Sequence, residues 1–358
     1  MKVVFITRSM EAGGAERVIA QLVKYMTEKK TECAIITLNN GPAAYELPAA
    51  TVLHAIGKVS QNRRLDKILK YGEVRRLVQA IKPDIVLAMP EEIGIFVIPA
   101  LWGTGIPVII SERNNPRVMP WRKGSRLFRR LMYPFATGFV FQTDQARDFF
   151  PLHIRNKSIV LPNPLDLGRL PKPFCGAKRN EIVGVGRMNK QKNFPLLIRA
   201  FALFYENHPD YVLTIYGEGE LQEELEKLAR GLLPEAAVSF PGVTSELLEK
   251  IRGAAMFVLS SDYEGMPNVV IEAMAMGVPV ISTDCPSGGP GALIKDGSNG
   301  LLVPVGDEIA LSAAMARLAD SKVLPEALGK NASNIGKELD VKIVGKNWMS
   351  YLNQHCLD

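Results

Sequence analysis

Short, almost unbroken apolar runs alternate along the chain with longer segments whose apolar residues recur at helical spacing. In the first half the runs are KVVFIT (residues 2–7), CAIITL (33–38), DIVLAM (84–89), PVIIS (107–111) and GFVFQT (138–143). The first opens into a Gly-rich turn, SMEAGGAER, and then a helical pattern carrying Val18, Ile19, Leu22, Val23 and Met26. Continuous apolar strands separated by amphipathic helices predict a parallel, doubly wound sheet covered on both faces. A second set begins further on: EIVGVGR (181–187), YVLTIYG (211–217), AVSFPG (237–242), MFVLSS (256–261) and PVISTD (279–284). Between the sets, LPNPLDLGRLPKPF (161–174) holds four prolines and reads as an interdomain linker.

The pattern predicts an α/β chain of two Rossmann-like domains, residues 1–165 and 166–340. A C-terminal helix within 341–358 has Ile343, Val344, Trp348, Met349 and Leu352 as its apolar stripe, able to pack back on the first domain. Ligands in such sheets bind beyond the carboxyl ends of the strands, so two sheets facing across a cleft would hold a ligand between them. Residues 93–110 carry no charge and approach membrane-spanning length, but Gly94, Pro99, Gly103, Gly105 and Pro107 interrupt them. They read as a short buried helix, a GTGIP turn and a strand.

Charge adds an asymmetry. The 358 residues carry a net +6, divided as +11 over residues 1–165 and −5 over the rest, which points to an anionic partner for the first domain. The cysteines Cys33, Cys175, Cys285 and Cys356 form no CxxC pair, so a disulfide framework is not expected and a reducing compartment fits. The four histidines are scattered and no metal site can be read. The apolar start is too short for a signal peptide and ends at Arg8.

Three segments carry candidate chemistry. In SSDYEGMPNVVIEAMAMGVPVISTD (260–284), Glu264 and Glu272 stand eight positions apart around a loop that becomes a helix. The backbone N–H groups of Met266, Asn268 and Val269 at that helix start favour a phosphate, Pro267 having none. On one continuous helix the two carboxylates would be about 12 Å apart, too far for a glycosidase pair. In VGVGRMNKQKNF (183–194), Arg187 and Lys192 offer a planar fork and a point charge to a diphosphate, although two solvated cations are the alternative. The Gly13-Gly14-Ala15-Glu16-Arg17 turn lets backbone approach an anion at a helix start, or is a plain turn.

In this order the segments resemble family four of the glycosyltransferases, which share the GT-B fold, over nearly the whole chain. The matching pieces are Glu264-x7-Glu272 with its Ala-Met-Ala-x-Gly-x-Pro-Val, GGAER, the VGR…K segment, YGEGE (216–220) and DGSNGLLVP (296–304). In detail the chain looks most like the bacterial subgroup that builds surface polysaccharides or undecaprenyl-pyrophosphate-linked oligosaccharides and includes N-acetylgalactosaminyltransferases. The resemblance implies a retaining, metal-independent hexosyltransferase using a nucleotide-sugar, UDP rather than GDP by subgroup. Arg187 and Lys192 would hold the diphosphate. Glu264 would lie near the donor sugar, with the amides that follow it, from Gly265 onward, on sugar and phosphate. Glu272 would take the ribose hydroxyls. Gly13 and Gly14 would approach the phosphate, and Val243 would sit near the base. The family often has His after Ser-Glu; here Ser111-Glu112 is followed by Arg113, which is left to contact donor sugar or phosphate.

Two basic stretches mark an acceptor side. Residues 61–82 hold Arg63, Arg64, Lys67 and Lys70 with Leu65, Ile68, Leu69, Leu77 and Val78 as an apolar side; residues 117–135 hold six basic and no acidic residues, among them Arg122, Lys123 and Arg126, with Trp121 interleaved. Such composition suits an anionic membrane surface or a lipid-pyrophosphate-linked glycan, at the cytoplasmic face of the cell membrane; solvated amphipathic helices are the plain alternative. No Asp-x-Asp is present, and no cofactor is expected beyond the donor itself. A nucleic-acid-binding protein has only the basic half in its favour, without zinc spacing or an aromatic RNA-binding strand. An inactive scaffold and a nucleotide-sugar epimerase share the expected fold.

Overall fold

The computed structural model describes residues 1–172, 174 and 176–356; Pro173 of the linker, Cys175 and the last two residues of the C-terminal segment lie outside the described residues. The chain divides into two compact units, residues 1–164 with 339–358, and residues 165–338.

The first unit contains β1 (Lys2–Thr7), β2 (Glu32–Thr37), β3 (Val52–Ala55), β4 (Ile85–Ala88), β5 (Val108–Ser111), β6 (Gly138–Phe141) and β7 (Ser158–Val160). They form one sheet in the order β3-β2-β1-β4-β5-β6-β7, with every pairing parallel. Alternation along β1 feeds two cores: Val4 and Ile6 face one, Val3 and Phe5 the other. The first face is covered by helices α2 (Arg63–Ile81), α3 (Glu91–Ala100) and α4 (Lys123–Met132), the second by α1 (Gly14–Glu28). The uncharged run at 93–110 forms the buried helix α3, a turn and β5, and no helix among the described residues is long and apolar enough to cross a membrane.

The C-terminal helix Val341–Asn353 belongs to this first unit. Val344, Trp348, Tyr351 and Leu352 are buried with Val3, Phe5 and Ile19, whereas Ile343 is exposed, so the stripe is narrower than the sequence suggested. Tyr351 anchors the helix: its hydroxyl accepts from the Phe139 amide at 2.9 Å and donates to the Lys157 carbonyl at 2.8 Å. Gly138 makes room for that phenol, since a Cβ there would lie 2.4 Å from its oxygen.

The second unit contains β8 (Arg179–Val185), β9 (Val212–Tyr216), β10 (Val238–Gly242), β11 (Ala254–Leu259), β12 (Val280–Thr283) and β13 (Leu301–Val303). Its order is β10-β9-β8-β11-β12-β13, again wholly parallel. Strands β3, β7 and β13 were not expected from the apolar pattern. All three lie at a sheet edge with a single neighbour; β3 and β7 contain no fully buried residue and show no long apolar run, whereas β13 is apolar throughout but only three residues long.

Candidate functional site

In each sheet the strand order reverses direction once, between β1 and β4 in the first unit and between β8 and β11 in the second. Chain leaving two adjacent strands on opposite sides opens a crevice at their carboxyl ends, where α/β ligands bind. The second unit places its chemistry there. Lys192 follows β8 and Glu264 follows β11, and the two form an ion pair of 2.6 Å although 72 positions separate them.

The surroundings fix both partners. Asn189 caps the short turn Lys190–Lys192, its side chain accepting from the Lys192 amide at 3.3 Å. The Lys192 carbonyl accepts from Ser260 Oγ at 2.9 Å. Asn193, in the left-handed region at φ 43°, caps the next helix (Phe194–Tyr205) and donates to Asp262 at 2.7 Å. Gln191 exchanges bonds with the same loop, its carbonyl accepting from the Asp262 amide and its side chain donating to the Tyr263 carbonyl. Ser261 donates to Glu264 Oε1 at 2.7 Å, and Ser287 donates to the Glu264 backbone carbonyl. Burial lifts the phenol of Tyr263 to about 12, with help from the charge of Glu264 and Asp262. It lifts the Cys285 thiol to about 12 as well, which makes that sulfur a packing group rather than a nucleophile.

Glycines let the loops interlock. A Cβ on Gly186 would lie 2.7 Å from the Lys192 side chain, which runs across it. One on Gly217, at φ 131°, would lie 2.0 Å from the Gly186 carbonyl oxygen, and one on Gly289 would collide with the Gly265 carbonyl. No side chain fits at either place.

The other expected positions separate clearly. Arg187 is exposed, two residues after β8; its carbonyl accepts from the Asn189 amide, and its guanidinium makes no hydrogen bond or ion pair among the described residues. Glu264 lies in the loop ahead of the helix Asn268–Ala275, so the helical-rise argument for its separation from Glu272 does not apply. Glu272 is buried within that helix. Gly265 and Met266 are buried in the loop, Asn268 and Val269 are half-buried at the helix start, and Val243 is 72% exposed after β10. Ser260, Ser261, Asp262, Asn193 and Ser287 were not singled out from sequence. Their roles depend on which loops the sheet order brings together; the Ser-Gly-Gly-Pro run after β12 was the available signal for the last.

The first unit assembles a different cluster at its strand ends. Gly13 caps α1 and exchanges two hydrogen bonds with Tyr45; Gly14 begins the helix. Glu91 follows β4 and accepts from the Arg113 amide at 3.2 Å. The Arg113 guanidinium donates to Asn163 at 2.8 Å, and Gln142 donates to the same oxygen at 2.7 Å. Burial lowers Arg113 to about 9 against the opposing pull of Glu91 and Glu16. Burial raises Glu112 to about 8, with Arg129 opposing and Glu91 assisting. Tyr133 donates to Glu112 Oε1, and Arg129 stands 3.9 Å from the same oxygen. The other Glu112 oxygen is buried without a hydrogen-bond partner.

The basic stretches divide between structural and exposed cations. Arg63, Arg64 and Lys67 are exposed on α2, together with Leu65, Ile68 and Leu69, so the expected apolar side there faces away from the core; Val74 and Val78 are its buried anchors. Lys70 pairs with Asp66 at 3.1 Å. Trp121, Arg122 and Lys123 are exposed at the start of α4. Arg126 donates to the carbonyls of Val118, Pro120 and Trp121, and Arg129 to those of Met119 and Pro116, so both hold the loop in place.

Comparison with known proteins gives this geometry a family. Residues 12–169 match the model described as Glycosyltransferase Family 4, and residues 172–335 match Glycosyl transferases group 1. The chain is 26% identical over 358 residues, 98% of both chains, to the GalNAc-alpha-(1->4)-GalNAc-alpha-(1->3)-diNAcBac-PP-undecaprenol alpha-1,4-N-acetyl-D-galactosaminyltransferase of Campylobacter jejuni. It is 28% identical over 366 residues to the same organism's N-acetylgalactosamine-N,N'-diacetylbacillosaminyl-diphospho-undecaprenol 4-alpha-N-acetylgalactosaminyltransferase, covering 96% of this chain and 97% of that one. Among solved structures, Anabaena HepE in complex with UDP and glucose aligns with a TM-score of 0.85 at 17% identity, covering 99% and 100% of the two chains. Two parallel Rossmann-like sheets and this likeness give the GT-B fold, and the chain belongs to the glycosyltransferases, with a family 4 domain followed by a group 1 domain.

Proposed function

We propose that this glycosyltransferase moves a hexose or N-acetylhexosamine from a UDP-sugar to a lipid-diphosphate-linked glycan, with retention of configuration and without a metal, at the cytoplasmic face of the membrane. The observation that carries the reading is the strand-end site of the second unit, where Lys192 is poised on Glu264 and Arg187 projects unpaired from the same loop. UDP is supported by its presence in the HepE structure, and the acceptor class by the names of the two Campylobacter relatives.

In this reading Arg187 and Lys192 take up charge on the departing diphosphate, each charge-assisted bond supplying about 1.5–3 kcal/mol. The amides of Gly265, Met266, Asn268 and Val269 and the helix start add positive potential there. Glu272 receives the ribose hydroxyls and Val243 lies by the base. Gly13, Gly14 and Arg113 are the first unit's donor-binding positions. The acceptor oxygen bonds to the anomeric carbon on the face the diphosphate leaves, and its proton passes to the leaving phosphate oxygen. No side chain is assigned as nucleophile. The exposed Arg63, Arg64, Lys67, Trp121, Arg122 and Lys123 face an anionic surface or lipid diphosphate, each cation near such a surface contributing about 1 kcal/mol; Lys70 and Arg126 serve by shaping that surface.

A thermal-shift panel of UDP, GDP and their sugars tests the donor. A ligand at about 100 times its Kd adds about 2.7 kcal/mol of stability. UDP and at least one UDP-sugar are expected to raise Tm, with the GDP series weaker. A panel in which no nucleotide shifts Tm overturns the proposal.

A further inference from the structure

The Lys192–Glu264 pair poses a problem for any anion that approaches Lys192. The cation already has a carboxylate at 2.6 Å, and both side chains are largely enclosed, 17% and 9% exposed. Ser261 holds the same oxygen, Oε1, at 2.7 Å, and Ser287 holds the Glu264 carbonyl, so the carboxylate is fixed rather than swinging in solvent. Its second oxygen makes no hydrogen bond among the described residues and is not among the buried unpartnered atoms. A diphosphate must therefore compete with a preorganised negative group for Lys192, while that group keeps an oxygen open to a donor.

The two nucleotides that such a site meets differ in the features a carboxylate reads. A UDP-sugar has a singly charged phosphate beside a sugar whose hydroxyls donate hydrogen bonds. Free UDP has a terminal phosphate with a second ionisation near pH 6, hence more negative charge and no donor. Beside a fixed carboxylate the first is compensated and the second repelled.

Resting on the diphosphate reading above, we propose that Glu264 is a specificity-determining residue that favours the nucleotide-sugar over the nucleoside diphosphate product. By reclaiming Lys192 once the sugar has gone, it speeds product release. The positioning residues are Ser261 and Ser287. Arg187, which has no competing carboxylate, binds both nucleotides alike.

Titration calorimetry with UDP and with UDP-glucose, UDP-galactose, UDP-N-acetylglucosamine and UDP-N-acetylgalactosamine tests this on the wild-type chain and on Glu264→Gln. The amide is expected to bind UDP about five- to tenfold more tightly and the best UDP-sugar no more tightly than wild type, so that UDP becomes a stronger product inhibitor. UDP affinity within twofold of wild type, or equal tightening of both ligands, overturns the inference while leaving the diphosphate site standing. A wild-type chain that binds neither UDP nor any of the four sugars overturns the diphosphate reading and this inference together. Where Glu264→Gln does not fold, Glu264→Asp withdraws the charge by one methylene. About two- to threefold tighter UDP binding supports the proposal there, and unchanged binding refutes it.

Discussion

The two sheets reverse strand order in the same way, yet their carboxyl edges are stabilised by different means. In the second unit the loops interlock through glycines and meet in an ion pair that retains some solvent access. In the first, the strand ends bury Glu91 and Glu112 against a phenol and two guanidiniums, and desolvation dominates the electrostatics. One edge is held by backbone shape, pairs its two enclosed charges with each other and leaves the Arg187 side chain exposed. The other immobilises its charges and retunes them. Equal topology therefore does not imply equal chemistry; the loop composition after each strand decides it.

The backbone half of this contrast is tested by Gly217→Ala. The new Cβ would lie 2.0 Å from the Gly186 carbonyl, which is backbone and cannot rotate away. A loss of about 3 kcal/mol or more is expected in urea unfolding, and a loss below about 1 kcal/mol would show that the loops do not depend on this contact.

The desolvation half is tested by Glu112→Gln across pH. The folded value, about 8, lies above the ordinary carboxyl value, so the native state holds this proton more tightly than the unfolded chain. The resulting stabilisation is complete below the ordinary carboxyl range and is lost as pH rises through about 8. Wild-type stability should fall by up to about 1.4 kcal/mol per pH unit from this group between those limits, and the amide should flatten that slope. Parallel pH profiles for the two proteins would show that Glu112 does not titrate there.

The smallest effect on folding is expected at the exposed cation. Arg187→Ala should leave the unfolding transition unchanged and lower turnover about 10–100-fold, the equivalent of one charge-assisted contact. Unchanged kinetics would remove Arg187 from the charge-neutralising role.

Much of this was legible in the chain. Glu264, Arg187 and Lys192 stand out because each lies in the segment that follows an apolar strand run, where strand ends and helix starts favour anions, and Glu272 stands out by its place eight positions after Glu264 in an ordered Glu-Ala-Met-Ala-x-Gly match. The central strands were equally plain, since a strand buried on both faces must be apolar throughout. The edge strands β3 and β7 were not, because one neighbour demands only partial burial, and β13 was missed because its apolar run is only three residues long. Nor could sequence separate Lys70, Arg126 and Arg129, which serve Asp66 and loop carbonyls, from the exposed cations beside them.

Sequence alone thus determined two parallel α/β domains, the strand ends that carry charge and the basic character of the first domain, because periodicity and local composition are properties of neighbours along the chain. Only the tertiary structure decided that Lys192 meets Glu264, that Glu112 is sealed against Tyr133 and Arg129, and that Tyr351 pins the C-terminal helix to β6. Those contacts join residues far apart in sequence. They exist because the order of strands in a sheet, and the water it excludes, are set by the whole fold.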